Sequence, residues 1–131
     1  MLLVDTSVWI EVFRKRNPLH LERTAPLDEV ATCLPVIREV LEGFRDDRAF
    51  ELARDAMTSL PVVEAPLTLA VYVEAAQLYR SARRAGLTVR SGVDCLIAAC
   101  AIRHGLTVLH RDRDFDALGR VSSLRSVQPT R

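Results

Sequence analysis

Lysine is almost missing from this chain. Lys15 is the only one, so the other 17 basic side chains are arginines. Codon usage in a GC-rich genome accounts for that bias, and it is also compatible with phosphate recognition, because the guanidinium fork matches phosphate oxygens. An excess of charge is missing too. Eighteen basic and 17 acidic side chains leave a formal net charge of +1, so any reading of a polyanionic partner rests on where the charges sit. Long apolar runs are absent. The most apolar stretch, Cys95 to Ile102, falls far short of the ~20 residues that span a bilayer. The N-terminus runs from Met1 straight into Leu2, Leu3 and Val4 without a basic region or a small-residue cleavage site, so no secretory signal is expected. Cysteine is scarce: Cys33, Cys95 and Cys100 are an odd number set in apolar surroundings. They read as reduced core thiols in a cytoplasm. Neither they nor His20, His104 and His110 have the paired spacing of a zinc site.

What is present is an ordinary globular composition. Hydrophobic residues make up 49% and charged residues 27% of 131 positions, which fits one domain over 1–131 with one core and excludes a disordered chain. Leu2 to Val4 reads as a buried central strand, because it has no polar face. Asp5, Thr6 and Ser7 are all helix-capping types. Val8, Trp9, Val12 and Phe13 continue at helical spacing to about Arg14. Ala31 to Leu34 is a second strand, followed by a helix carrying Glu39. Arg45 to Leu60 is an amphipathic helix, and Val62-Val63 a third strand. Leu67 to Arg84 forms a long helix with Gly86 as its cap. Ser91 to Asp94 starts another, which Gly105 ends. Leu106 to Leu109 is a fourth strand, and Ser126-Val127 a last edge strand. Strands alternating with helices predict an α/β domain with a mainly parallel sheet and right-handed crossovers.

The carboxylates carry the functional signal. Asp5 directly follows an apolar strand, Asp112 follows the fourth strand by three residues, and Glu39 lies one turn into the helix after the second. In an open parallel sheet the C-terminal strand ends share one rim, and sites form there. Asp94 opens the helix before the last of these strands. Asp5, Glu39, Asp94 and Asp112 therefore can converge, with Asp114 close by. Each has an ordinary alternative: a helix cap for Asp5, a charged helix face for Glu39 beside Arg38 and Glu42, a dipole partner for Asp94, and a solvated loop for Asp112, Asp114 and Asp116 balanced by Arg111 and Arg113. Together, four or five carboxylates need a compensating cation, either a divalent metal or an arginine. An all-oxygen donor set suits Mg²⁺ or Mn²⁺, and such ions support phosphodiester hydrolysis.

Four segments then match one family in order and spacing. The opening V-D-T-S-V-W-I, the P-V-I-R-E-V-L-E-G near residue 39, the D-C-L-I-A-A-C-A from residue 94 and the closing H-R-D-R-D-F resemble a PIN domain, and more narrowly the VapC-type toxins of bacterial toxin–antitoxin pairs. The likeness runs from Leu2 to about Arg125. It implies a three-layer α/β/α fold and a Mg²⁺- or Mn²⁺-dependent endoribonuclease. By position, Asp5, Glu39, Asp94 and Asp112 match the family's acids. Asp5, Asp94 and Asp112 match metal ligands, and Asp114 is an accessory acid. Thr6 or Ser7 matches the hydroxyl that orients the first Asp or a bound water. His110 departs from the family, many members of which have threonine there. The resemblance further implies cleavage of tRNA or other structured RNA, a homodimer formed through helices, and an antitoxin whose arginine enters the acid site.

Arg80, Arg83 and Arg84 share a helix face and Arg90 follows them. They are candidate RNA-phosphate contacts or simply a solvated helix end. Trp9 and Phe13 suit base stacking less well than core or dimer packing. A receiver-type signalling domain is disfavoured because no lysine follows position 15. A haloacid-dehalogenase-type phosphatase is disfavoured because Ser7 stands where its second Asp belongs. A PIN-fold binding module without catalysis is the remaining alternative. Such modules usually lack one or more acids, and here all are present.

Overall fold

The computed structural model describes residues 1–130. Five parallel strands form one sheet in the order β3-β2-β1-β4-β5: β1 (Leu2–Val4), β2 (Val30–Cys33), β3 (Val62–Val63), β4 (Thr107–Leu109) and β5 (Arg125–Val127). Leu3 and Val4 point to opposite faces of β1, yet both are fully buried. The sheet is therefore covered on both sides, which is why this strand shows no alternation.

Topology explains the covering. Crossovers from β1 to β2 to β3 step one way across the sheet, while β3 to β4 and β4 to β5 step the other way. With right-handed crossovers the first group of helices lies on one face and the second on the opposite face. The first group is α1 (Thr6–Val12), α2 (Leu34–Glu42) and α3 (Asp47–Thr58). The second is α4 (Leu69–Arg84), α5 (Gly92–His104) and α6 (Arg113–Arg120). Helix contacts run from α1 to α2 to α3, and among α4, α5 and α6. This is the expected three-layer α/β/α arrangement. The order in which strands are added across the sheet reverses between neighbouring strands β1 and β4, and the crevice at such a switch point is where open α/β sheets place their sites.

Several boundaries differ from expectation. Helix α1 stops at Val12, not Arg14, because the chain turns there and Leu19 N–H reaches back to the Glu11 carbonyl at 2.9 Å. Leu34 belongs to α2 rather than to β2, which starts one residue earlier, at Val30; Pro35 stands in the helix's first turn, where it sacrifices no hydrogen bond. Helix α3 is shorter than Arg45–Leu60, since Asp46 caps it by accepting from Ala49 N–H at 2.8 Å. Helix α4 begins at Leu69, two residues late. Two 3₁₀ turns, Leu21–Arg23 and Leu27–Glu29, were not anticipated.

Trp9 is core. It is 5% exposed, its indole N–H donates to the Val4 carbonyl at 3.1 Å, and its ring stacks on Phe13. Base stacking by Trp9 is thereby ruled out. At the other end of the chain, Gly105 ends α5 at φ +64° with open space around its Cα. A side chain there meets no neighbour but must adopt a left-handed backbone. Gly105→Ala should therefore cost about 1 kcal/mol, read as a lowered urea midpoint with unchanged slope.

Candidate metal centre and active site

The switch point gathers acids from three elements. Asp5 leaves β1 with its N–H bonded to the Leu109 carbonyl at 2.9 Å, which ties it to β4. Its Oδ2 accepts from the backbone N–H of Ser7 at 3.0 Å and from the Ser7 hydroxyl, so it does cap α1. Its Oδ1 is buried without a partner. The capping and ligand readings of Asp5 are thus compatible, one for each oxygen.

Asp94 sits in the first turn of α5, 5% exposed, and its Oδ2 also lacks a partner. Asp112 is the N-cap of α6 and accepts from Asp114 N–H at 2.9 Å. Asp114 is 2% exposed and accepts from the backbone N–H groups of Arg90 and Ser91, each at 3.0 Å. It therefore clamps the segment leading into α5 against α6. One oxygen each from Asp94, Asp112 and Asp114 lies within 4.8 Å of the others. Asp5 is outside this close set of three but electrostatically joined to it, since its charge acts on Asp94 and that of Asp112 acts on it.

The electrostatics follow from the crowding. Burial, then the hydrogen bond with Asp114, then the charges of Asp5 and Asp112 push the Asp94 carboxyl up to about 9. Burial raises Asp5 as well, against the lowering effect of the Ser7 bonds. No arginine among the described residues pairs with Asp5, Asp94 or Asp112. Arg90 Nε stands 4.0 Å from Asp114, and the Arg111 guanidinium is held by Glu11. Without a cation from outside the chain, protonation of Asp94 relieves the crowding. Two unpartnered buried carboxylate oxygens beside hard oxygen donors fit an oxophilic divalent cation such as Mg²⁺ or Mn²⁺.

The hydroxyls divide their work. Ser7 holds Asp5, whereas Thr6 donates to Glu39 Oε1 at 2.9 Å. Glu39 is half-buried and falls outside the close set of three. Ser7 Oγ also accepts the N–H of Arg111 at 2.9 Å, so a single hydroxyl joins Asp5 to the chain running into Asp112. A divalent ion held by these acids should bind about 10- to 100-fold more weakly in Ser7→Ala, the usual cost of losing a group that orients a metal ligand, and any metal-dependent activity should fall with it. Calorimetry and initial rates measure this, with circular dichroism unchanged.

Two contributors escaped the sequence reading. His110 is buried, packs on Phe115 and accepts the N–H of Asp112 at its Nδ1, 3.1 Å away. It shapes the turn that presents Asp112. The second is the backbone clamp on Asp114. Of the arginines proposed for RNA, Arg90 reaches the acids. Arg80, Arg83 and Arg84 are exposed on α4, and Arg83 lies over the Tyr79 ring at 5.6 Å.

A parallel α/β domain with carboxylates collected at its β1/β4 switch point is the architecture of the PIN class. The PIN domain family model matches residues 2–121, and the chain belongs to that family. Within it, the chain is 41% identical to ribonuclease VapC11 of Mycobacterium tuberculosis over 96% of its own length and 97% of the relative's. It is equally similar to VapC ribonuclease Mb1587 of Mycobacterium bovis. Solved structures share the fold at lower identity. The VapBC2 complex of Rickettsia felis, bound to a fragment of its promoter, aligns at TM-score 0.74 and 16% identity, covering 98% of both chains. Mycobacterium tuberculosis VapC20, a sarcin-ricin-loop-cleaving toxin, aligns at 0.70 and 22%, covering 95% of this chain and 99% of that one.

Proposed function

We propose that the protein is the ribonuclease toxin of a toxin–antitoxin pair, cutting tRNA or another structured RNA with Mg²⁺ or Mn²⁺. The observation that carries the chemistry is the pair of buried, unpartnered oxygens, Asp5 Oδ1 and Asp94 Oδ2, in a cluster with no arginine of its own to balance Asp5, Asp94 and Asp112. Asp5, Asp94, Asp112 and Asp114 would hold the ion, and Glu39, which accepts from the Thr6 hydroxyl, would order water or a second ion. A bound divalent ion lowers the pKa of a water and neutralises charge developing on an in-line phosphoryl transition state. Ser7 and His110 fix Asp5 and Asp112 in place beforehand, so the acids need little reorganisation.

An antitoxin partner is supported by the likeness to VapC ribonucleases and to the VapBC2 complex. Its arginine would replace the metal as counter-charge among the acids. A homodimer is supported by α4, whose exposed Leu69, Tyr72, Val73 and Tyr79 recur at helical spacing. Three free cysteines agree with a reducing cytoplasm, and no helix among the described residues is long and apolar enough to cross a membrane.

The test is cleavage of total bacterial tRNA by antitoxin-free protein in Mg²⁺, Mn²⁺ or EDTA, with the product ends determined. Discrete fragments carrying 5′-phosphate and 3′-hydroxyl ends are expected, and none in EDTA. A 2′,3′-cyclic phosphate product or EDTA-resistant cutting would overturn the mechanism. Metal binding without cleavage of any RNA would instead favour the binding-module alternative.

A further inference from the structure

A cavity of about 390 Å³ adjoins the acid cluster, sharing Asp114 as a wall, and its size is that of a small-ligand site. Arg90, Arg113 and Arg120 line it, with Asp116 as the second acid and Leu87 on its apolar side. Asp114 is already engaged, whereas Asp116 is 60% exposed. Asp114 accepts two backbone N–H groups, and Asp116 lies 3.6 Å from His110 Nε2. Arg113 and Arg120 have no ion-pair or hydrogen-bond partner among the described residues.

The placement of Arg113 runs against helix electrostatics. It is the first residue of α6, where the positive end of the helix dipole disfavours a cation. Arg120 lies seven residues on, two turns along the same face. Arg90 projects from the segment before α5, whose backbone Asp114 clamps. Two elements thus bring three guanidinium groups to one cavity beside the acids. The charge complementarity is to a polyanion whose path passes from this cavity to the metal centre. An acidic peptide offers the charge, but has no reason to continue among four carboxylates. A phosphodiester chain does, once a metal ion sits there.

We propose that Arg113 and Arg120, with Arg90, form a subsite for the RNA backbone, gripping phosphates that flank the scissile one through sequence-independent contacts. The inference rests on the ribonuclease reading above and assigns the substrate's path through that site.

The test compares Arg113→Gln/Arg120→Gln with the lysine double variant, each in the full chain. Binding of end-labelled total tRNA is measured by filter retention in Ca²⁺, a divalent ion that carboxylate oxygens hold, at short times so that cutting does not interfere. The glutamine pair should bind about 10- to 100-fold more weakly, with the slope of log affinity against log salt falling by about 0.7 per lost phosphate contact. The lysine pair should keep most of that slope, since lysine retains the charge. In Mg²⁺, the glutamine pair should raise KM far more than it lowers kcat, while Mn²⁺ affinity stays unchanged. Unchanged tRNA affinity and salt slope would overturn the subsite, even where wild-type cutting persists. Loss of antitoxin binding alone would assign the cavity to a protein partner and overturn it equally. No metal-dependent cutting by the wild type would instead remove the ribonuclease reading on which the subsite depends.

Discussion

Asp94→Asn abolishes RNA cleavage and leaves the metal-free protein more stable than its parent at pH 8. Cleavage falls by more than about 100-fold, the upper figure for losing a group that only orients a ligand, because Asp94 offers the ion a buried oxygen with no other task. Stability moves the opposite way. The carboxyl is 5% exposed and faces the charges of Asp5 and Asp112. Its ionised form is unfavourable unless a cation is present. Asparagine keeps the shape and removes that charge. Urea denaturation in EDTA and tRNA cleavage in Mg²⁺ measure the two halves. A variant that loses activity and stability together would mean that Asp94 is a structural acid.

The second large effect is on pH dependence without metal. An unfolded-chain aspartate titrates near 3.9, whereas the native Asp94 carboxyl lies at about 9. Between those values the native state holds a proton that the unfolded state has released. Stability is therefore fully present below about pH 4 and is lost as pH rises toward 9. The slope from this group is at most about 1.4 kcal/mol per pH unit. Asp5 shifts in the same direction and adds to the slope. Urea midpoints across pH 5–9 in EDTA should fall with pH, and the fall should flatten in Asp94→Asn. Saturating Mn²⁺ should reverse the trend, because metal affinity rises as the ligands deprotonate.

Much of this design was legible in the residues. An apolar strand ending in Asp-Thr-Ser marks the central strand and the start of the first helix, and Asp5 does cap that helix. The lone Gly105 after Arg103-His104 marks the end of α5, since a left-handed residue is required there. Asp112 was placed by its distance from a strand end, and Asp94 by its place at a helix start. The two 3₁₀ turns between α1 and β2 carry no hydrophobic period and left no signal.

What escaped detection is non-local. Asp114 earns its position from backbone N–H groups 24 and 23 residues earlier in the chain, and Ser7 reaches Arg111 across 104 residues. Backbone donors have no residue signature. The arginine cluster shows the same limit. A search for helical spacing finds Arg80, Arg83 and Arg84 on one helix, whereas the three that meet in a cavity come from two separate segments. Of the two neighbouring hydroxyls, spacing alone did not reveal that Thr6 serves Glu39 and Ser7 serves Asp5.

The central claim is that these carboxylates form a divalent metal site. It is tested most directly by calorimetric titration of Mn²⁺ into the metal-free protein at pH 7.5, in two buffers of different ionisation enthalpy. The account predicts saturable binding that is lost in Asp94→Asn, together with a buffer-dependent heat corresponding to release of about one proton per ion, because Asp94 is protonated until the metal arrives. Absence of binding, or equal binding by wild type and Asp94→Asn, would contradict it.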